Sequence, residues 1–213
     1  MDLYNELIAE ELAHDYNIKC SHYDLVEYMD NLGVISENFL QDNDKFLLLY
    51  DVLKEYFKKN ETLEHNNFKD IYTALEYKYD SSIASKIIDE LKNVYAFDVL
   101  VANIDRHDKN IGIIENDTIS LSPLFDNEKI LSKDSIHEEI YSLRLDDNYN
   151  EEINDKLEEK IWIIDNNNIS KVFERIEYRI NSNIPDFIKD ETRYRFSENK
   201  KRIMKKRWYL WRC

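Results

Sequence analysis

One segment of the chain, residues 103–126, contains the polar side chains that phosphoryl transfer requires. Asp105 is followed five positions later by Asn110, and Asp126 comes after a short hairpin-like stretch. Phosphoryl transfer needs a carboxylate that positions the attacking hydroxyl and a divalent cation that neutralises the phosphates. Carboxylate and amide oxygens are the ligands that Mg²⁺ prefers. The order of residues therefore predicts Asp105 as the base or hydroxyl-orienting group, and Asn110 and Asp126 as Mg²⁺ ligands.

Two further residues of this loop, His107 and Lys109, are candidates for the same chemistry. Either could donate to a γ-phosphate or to the charge that develops in the transition state. His107 could instead only brace the loop through hydrogen bonds. The alternative for the whole loop is a solvated polar turn, since Asp and Asn are abundant here and an isolated D-x-x-x-x-N match is weak. A buried helix before the loop and apolar strands after it favour the functional interpretation.

The elements that must position these residues are mostly helices, because Gly and Pro occur only twice each. Apolar residues at helical spacing predict helices over 2–16, 44–59, 67–79, 151–164, 168–181 and 187–212, and a further helix that is capped by Ser81 or Ser82 and runs to 101. Strands are predicted at 22–28 and 34–40, around a turn at 30–33, and at 111–114 and 118–122. Residues 127–150 are polar and predict a loop of the activation or substrate-binding type.

Charge is distributed unevenly along the 213 residues, which are enough for one domain. Seven of the 29 basic residues lie in residues 200–213, where no acidic residue occurs, so residues 1–199 carry a formal charge of −22. A body this acidic argues against non-specific binding of nucleic acid. The tail has aromatic and basic residues that suit stacking on bases, but we favour packing of this tail on the acidic body.

The cysteine content, the N-terminal residues and the length of the apolar runs indicate the cellular location. Two distant cysteines give neither a disulfide framework nor a zinc pattern, which is typical of a reducing cytosol. Acidic and amphipathic sequence follows Met1, which is not the pattern of a signal peptide. No apolar run approaches the ~18 residues that a membrane span needs. The sequence therefore predicts a cytoplasmic protein without a membrane span.

Residues 103–110 (Asn-Ile-Asp-Arg-His-Asp-Lys-Asn) and 121–126 (Leu-Ser-Pro-Leu-Phe-Asp) resemble the C-terminal lobe of HipA-like serine/threonine kinases, which are bacterial kinases of toxin–antitoxin modules. The resemblance implies ATP and Mg²⁺ as cofactors, Asp105 as the catalytic aspartate, and Asn110 and Asp126 as metal ligands. Asp126 would take the place of the DFG aspartate. The Asp-Arg-His-x-x-Asn core is also similar to phosphoinositide kinases, so a lipid substrate is an alternative.

The resemblance extends upstream of this segment. Glu6 opens a Leu/Ala-rich helix that is similar to the family's helix carrying the Glu of the Lys–Glu ion pair. Residues 34–39 resemble the strand and hinge that hold adenine, which implies that the backbone of Glu37, Asn38 and Phe39 contacts the base. Glu6 and these three hinge residues are therefore the candidate cofactor-binding residues.

The family has a nucleotide-covering loop and a phosphate-binding Lys before the helix that carries Glu6, and the chain departs from it here. Gly33 and Gly112 are its only glycines, and no Lys precedes Glu6. We therefore expect an α+β, mostly helical fold: a protein-kinase-like C-lobe with a small N-terminal helix and β-hairpin, and the N-lobe largely missing. The expected division is a kinase domain over 1–199, with an N-lobe remnant and hinge at 1–43 and a helical C-lobe at 44–199, followed by a basic aromatic tail at 200–213.

Three explanations for the departure stay open: a small partner chain supplies the missing strands, the chain is a degenerate lobe, or another lysine such as Lys109 substitutes. The function expected first is ATP- and Mg²⁺-dependent phosphorylation of a protein serine or threonine. The alternatives are a catalytically impaired kinase-like module that binds a partner or antitoxin, and a lipid kinase.

Overall fold

A computed structural model of the protein describes residues 2–60, 68–131 and 155–210. The helices are α1 (Asp2–Tyr16), α2 (Leu49–Asn60), α3 (Phe68–Lys78), α4 (Ser81–Val101), α5 (Asn166–Ile180) and α6 (Asp186–Leu210). The strands are β1 (Tyr23–Tyr28), β2 (Asn31–Ser36), β3 (Lys45–Leu48), β4 (Gly112–Glu115) and β5 (Ile119–Leu121). The expected α+β and mostly helical architecture is confirmed.

The helix predictions from apolar spacing are confirmed for α1, α3, α5 and α6 within one or two residues at each described end. Residues 155–160 are helical and continue into a 3₁₀ turn at Ile161–Ile164, within the predicted span 151–164. The predicted loop over 127–150 lies outside the described residues beyond Leu131. Within the part of the chain that the structure describes, no helix is long and apolar enough to cross a bilayer.

Helix α4 is the centre of the core, because apolar residues surround its second half. Leu91, Phe97 and Leu100 are completely buried. The helix begins at Ser81 and its N-cap is Asp80, whose carboxylate accepts the backbone N–H of Ile83 at 2.9 Å. The prediction of Ser81 or Ser82 as the cap was therefore wrong. Asp and Ser are comparable caps, and the extended backbone of Asp80 decides between them.

At its carboxyl end, α4 delivers the chain into the polar segment. Ala102 has a left-handed backbone with φ of 52°, which ends the helix and lets its N–H return to the carbonyls of the last turn. Asn103 then donates its backbone N–H to the Asp98 carbonyl at 2.8 Å. The polar loop therefore starts from a rigid, buried base.

Strands β1 and β2 form the expected hairpin, but its turn lies earlier than predicted. Met29 and Asp30 have φ values of 49° and 60° and form a two-residue turn. Two left-handed turn residues match the twist of the flanking strands. The predicted bounds of the turn, 30–33, and of the second strand, 34–40, lie too late in the sequence, because the turn is at 29–30 and β2 occupies Asn31–Ser36.

The second sheet has the antiparallel order β3-β4-β5 and positions both ends of the polar segment. Its first strand corrects the predicted helix over 44–59, since Lys45–Leu48 is extended and only Leu49–Asn60 is helical. Pairing with β4 decides the conformation: Phe46 lies opposite Ile114, and Lys45 Nζ contacts Glu115 Oε2 at 2.7 Å. This strand begins beside the predicted boundary at 43/44, and the division of the chain there remains a prediction.

Candidate active site

Arg106 is the centre of the polar segment, although it lies inside the protein. Its Nε and Nη2 donate to Oδ2 and Oδ1 of Asp98 at 2.9 and 3.1 Å, and both side chains are 0% exposed. Asp98 is in the last turn of α4, so this ion pair fixes the loop to the core. The carboxylate offsets the loss of hydration and raises the pKa of Arg106 above its usual value.

Arg106 also joins the two separate parts of the site. Its Nη1 donates to the backbone carbonyls of both Asn110 and Phe125 at 3.2 Å, and its Nη2 donates to Asn127 Oδ1 at 2.6 Å. Asp126 lies between the last two of these residues. One guanidinium thereby holds the end of the 103–110 loop beside the segment that carries Asp126.

Two buried asparagines set the shape of the loop around Asp105. The Asn103 Oδ1 accepts the backbone N–H of Asp105 at 3.1 Å. The Asn110 Nδ2 donates to the Asp105 carbonyl at 2.6 Å, while its Oδ1 accepts the His107 N–H at 2.8 Å. The Asp105 side chain is half-buried at the surface of this frame. Asn110 Oδ1 keeps one lone pair beyond the bond from His107.

Asp126 is held in a defined place by its neighbours. Its φ of 57° is left-handed, a conformation that Asp tolerates better than most residues. The segment is anchored before it by Phe125 and after it by Asn127, which is completely buried. The Asp126 side chain is exposed. Arg106 thus joins the backbone of Asn110 to the residue before Asp126, and the catalytic and metal-binding roles of Asp105, Asn110 and Asp126 stay predictions.

Helix α1 contacts the same segment just beyond Asp126. Glu6 Oε1 accepts the backbone N–H of Asn127 at 2.9 Å. Asn5 Nδ2 donates to the carbonyls of Glu128 and Ile130 at 2.7 and 3.1 Å. The first turn of α1 thus clamps the chain at 127–130, and Glu6 contributes to the site through this clamp.

The second oxygen of Glu6 is in an unusual environment. Oε2 is buried and has no hydrogen-bond partner of acceptable geometry among the described residues, although the Tyr23 hydroxyl interacts with the carboxyl group. Burial is the main cause that raises the pKa of Glu6 above its usual value, and the nearby Asp126 adds to it. An ionised carboxylate without a cation is costly in such a place.

His107 and Lys109 lie on the exposed side of the loop. The His107 Nδ1 accepts the backbone N–H of Lys109 at 3.2 Å and caps the 3₁₀ turn Asp108–Asn110. This contact is the bracing role considered for His107. The Lys109 Nζ lies 4.9 Å from the centroid of the Tyr50 ring, a cation–π contact with the start of α2. Lys109 therefore does not pair with Glu6.

The predicted hinge residues reach the site through an aromatic cluster. Glu37 and Asn38 are exposed, whereas the Phe39 ring is half-buried and stacks on Phe125 with centroids 6.3 Å apart. Phe46 of β3 contacts both rings, at 5.8 and 6.1 Å. The hinge and the Asp126 segment are thus joined by apolar rings that could face a flat base.

Several of these contacts were not predicted from the sequence. Asp98 is the one acidic residue in the apolar run 94–102, and this isolated charge was the feature of the sequence that could have predicted a buried ion pair. Asn127, Phe46 and Tyr50 gave no signal in the sequence. In the described ranges, no group of three or more His, Cys, Asp or Glu side chains could hold a metal by itself. Any Mg²⁺ would therefore depend on Asn110, Asp126 and phosphate oxygens.

Comparison with known proteins identifies the family of the chain. The profile of the HipA-like C-terminal domain matches residues 2–184. The chain belongs to the HipA-like C-terminal domain family. The match includes α1, the hairpin and the whole polar segment, so the predicted resemblance is confirmed. No curated protein is significantly similar to the chain in sequence.

Solved structures share the fold at low sequence identity. The proinflammatory kinase CtkA of Helicobacter pylori has a TM-score of 0.69 and 17% identity, over 94% of this chain and 80% of CtkA. HipA of Shewanella oneidensis MR-1, solved with HipB and operator DNA as a toxin–antitoxin system, has a TM-score of 0.56 and 14% identity. That match includes 95% of the present chain and 55% of the Shewanella chain. The expected kinase-like C-lobe fold is confirmed.

Proposed function

We propose that the protein transfers the γ-phosphoryl group of ATP to a serine or threonine hydroxyl of a protein, in a reaction that depends on Mg²⁺. The observation that carries this proposal is the pair of hydrogen bonds from Arg106 Nη1 to the carbonyls of Asn110 and Phe125. It joins the two parts of a phosphoryl-transfer site that lie 15 residues apart in sequence.

In this proposal Asp105 orients the acceptor hydroxyl and receives its proton. Its backbone is fixed on both sides by Asn103 and Asn110, while the carboxylate stays accessible. A preorganised carboxylate lowers the barrier because it need not rearrange during the reaction. His107 braces the loop, and Lys109 offers a cation beside the phosphates.

The residues fit a Mg²⁺ site of the kind that shares its ligands with a nucleotide. Asn110 keeps a free lone pair on Oδ1 and Asp126 presents an exposed carboxylate. Mg²⁺ in phosphoryl-transfer sites usually has one or two protein ligands and several phosphate or water oxygens. When bound, the ion would neutralise charge on the transferred phosphoryl group. Phe39 and Phe125 would contact the base, next to the backbone of Glu37 and Asn38.

A basic residue from outside the described residues would complete the site at Glu6. A cavity of about 300 Å³ adjoins this carboxylate and is walled by Tyr23, by Val34 to Ser36 of β2, and by Glu128. In the described chain, β2 pairs only with β1, so its other edge is free to pair with a further strand. We propose that a strand bearing Lys or Arg adds there, from a small partner chain or an antitoxin.

A degenerate kinase lobe that only binds a partner is the second candidate. The unpartnered Glu6 Oε2 favours it, because losing the phosphate-binding cation should cost orders of magnitude in rate. Toxin–antitoxin function and a cytoplasmic location are parts of the same proposal, as is the choice of protein over lipid as substrate.

The test is transfer of γ-phosphate from labelled ATP with Mg²⁺, to the protein itself or to a generic protein substrate. Asp105→Asn and Asp126→Asn should each abolish transfer, with melting temperatures close to that of the unchanged chain. Asp108→Asn is the matched control, because Asp108 lies in the same loop without an assigned role. Equal activity in all four proteins rejects the kinase proposal, and Mg²⁺–ATP binding without transfer favours the degenerate lobe.

A further inference from the structure

A second cavity lies outside the proposed nucleotide site. Its volume is about 440 Å³, which is within the range of small-molecule sites. Its walls are the carboxyl end of α1 with the following turn, the middle of α4, strand β5 with Ser122 and Leu124, and the helical residues 155–160. It shares no lining residue with the 103–110 loop or with the cavity beside Glu6.

Three lysines line this cavity, Lys19, Lys156 and Lys160, and we call it the triple-lysine cavity. Lys156 Nζ donates to Asn93 Oδ1 at 2.7 Å and keeps two further protons. Lys160 Nζ lies 5.9 Å from the centroid of the Tyr16 ring. The cations come from two elements far apart in sequence, so the fold and not a local basic run assembles them.

The acidic residues of the lining offset this charge only partly. The lining also contains Glu90 and Glu159, so two carboxylates and three lysines leave it with a net positive charge. Glu90 Oε2 already accepts the backbone N–H of Leu121 at 3.0 Å, so this oxygen is used by the end of β5. A ligand rich in acceptor oxygens would therefore meet more donors than competing carboxylates.

The Tyr16 side chain forms part of the wall of this cavity. Tyr16 is 5% exposed, and its hydroxyl is buried without a hydrogen-bond partner among the described residues. A buried hydroxyl without a partner costs free energy, and such groups are rare unless a ligand or water provides the missing bond. Burial raises the pKa of Tyr16 above its usual value, so the hydroxyl keeps its proton and can donate.

We propose that the triple-lysine cavity binds a small phosphorylated metabolite. The phosphoryl oxygens accept hydrogen bonds from the three ammonium groups, and the remaining volume holds the organic part of the molecule. The walls include Ser122 and Leu124, which directly precede the Asp126 segment, so this site and the proposed active site are connected by the same stretch of chain.

The experiment measures binding of ribose 5-phosphate, ribose and inorganic phosphate to the whole chain by calorimetry. Binding of ribose 5-phosphate is expected, with none for ribose. Lys19→Gln and Lys160→Gln should each weaken affinity by about tenfold, the usual effect of losing a hydrogen bond to a charged group. Lys171→Gln, an exposed lysine of α5 outside the cavity, is the matched control and should leave affinity unchanged.

Inorganic phosphate that binds as tightly as the ester would identify a phosphate-ion site, with the same dependence on Lys19 and Lys160. The proposal is overturned if no phosphate compound binds below about 10 mM, a very weak affinity. It is also overturned if affinity falls in Asp126→Asn but not in the cavity variants, which would assign the ligand to the nucleotide site.

Discussion

The guanidinium of Arg106 and the carboxylate of Asp98 form a completely buried ion pair with two hydrogen bonds, at 2.9 and 3.1 Å. The pair connects the last turn of α4 to a residue in the middle of the polar loop. Because Asp98 holds two of the guanidinium nitrogens, Nη1 is directed to the carbonyls of Asn110 and Phe125. The relative position of the 103–110 loop and the Asp126 segment thus depends on Asp98, a buried residue of α4.

Asp98→Asn should destabilise the protein by about 3–5 kcal/mol, because it leaves the Arg106 charge buried without its counterion. Unfolding in urea measures this change. Asp89→Asn is the control on the same helix: Asp89 pairs with Lys92 but is 72% exposed, so its loss should cost less than about 1 kcal/mol. A similar small effect for both variants would contradict the structural role assigned to the buried pair.

Gly112→Ala should destabilise the second sheet. A Cβ at this position would lie 2.3 Å from Phe46 Cε2 and 2.6 Å from Ser122 Oγ, closer than real contacts allow. Overpacking of this kind costs about 1–3 kcal/mol. The effect in Phe46→Leu/Gly112→Ala should be smaller than the sum of the single effects, since the shorter side chain leaves room.

The other glycine provides the contrast. At Gly33 the nearest atom to a new Cβ is Val26 Cγ1 at 3.8 Å, and the backbone has no positive φ. Gly33→Ala should therefore be neutral or stabilise by about 0.4–1 kcal/mol. Urea unfolding of the two variants side by side tests the assignment, and equal losses would show that the Phe46 contact is not responsible.

The sequence predicted those elements whose conformation is decided locally. The apolar spacing of α1 and α3 marks a buried face, and each lies where that spacing placed it. Residues 46–48 form a short apolar run that suits a helix or a strand, and pairing with β4, about 70 positions away, produces the strand. The residues of β3 alone therefore do not predict its pairing with β4.

The candidate site shows the same division between local and distant information. Asn110 donates one hydrogen bond to the Asp105 carbonyl across one short loop, so the contact between these two residues is decided locally. The place of Asp126 depends on the buried Arg106, and a charged residue in an acidic chain is ordinarily expected at the surface. Burial of Arg106 requires its ion pair with Asp98, and the spacing of the two residues in the sequence does not predict that pair.

Glu6→Gln should stabilise the protein at neutral pH by an amount on the order of 1 kcal/mol, the scale of an unpartnered buried polar group. Gln keeps an oxygen to accept the Asn127 N–H and removes the buried charge on Oε2. Thermal unfolding measures the change. Glu174→Gln, an exposed position on α5, is the control and should have little effect.

The stabilisation by Glu6→Gln should depend on pH in a defined direction. Burial raises the pKa of Glu6 above its usual 4.5, so between that value and the folded-state pKa the folded chain binds a proton that the unfolded chain lacks. The stability of the unchanged protein therefore falls as pH rises through this window. The difference between Glu6 and Gln should be largest above the window and should vanish below about pH 4.5. A difference that grows on acidification would contradict the assignment.

Tyr50 is a positioning residue for Lys109 if the proposed reaction is correct. The Lys109 Nζ lies 4.9 Å from the Tyr50 ring centroid, and cation–π contacts at exposed sites contribute about 0.5–1 kcal/mol. Tyr50→Leu should therefore lower the rate of phosphoryl transfer by about two- to fivefold. Tyr50→Phe retains the ring face and should stay close to the unchanged protein. The measurement is kcat and KM for ATP in both variants, with melting temperatures alongside. Equal losses in Tyr50→Phe and Tyr50→Leu would show that the hydroxyl or the packing of α2, and not the ring face, supports Lys109.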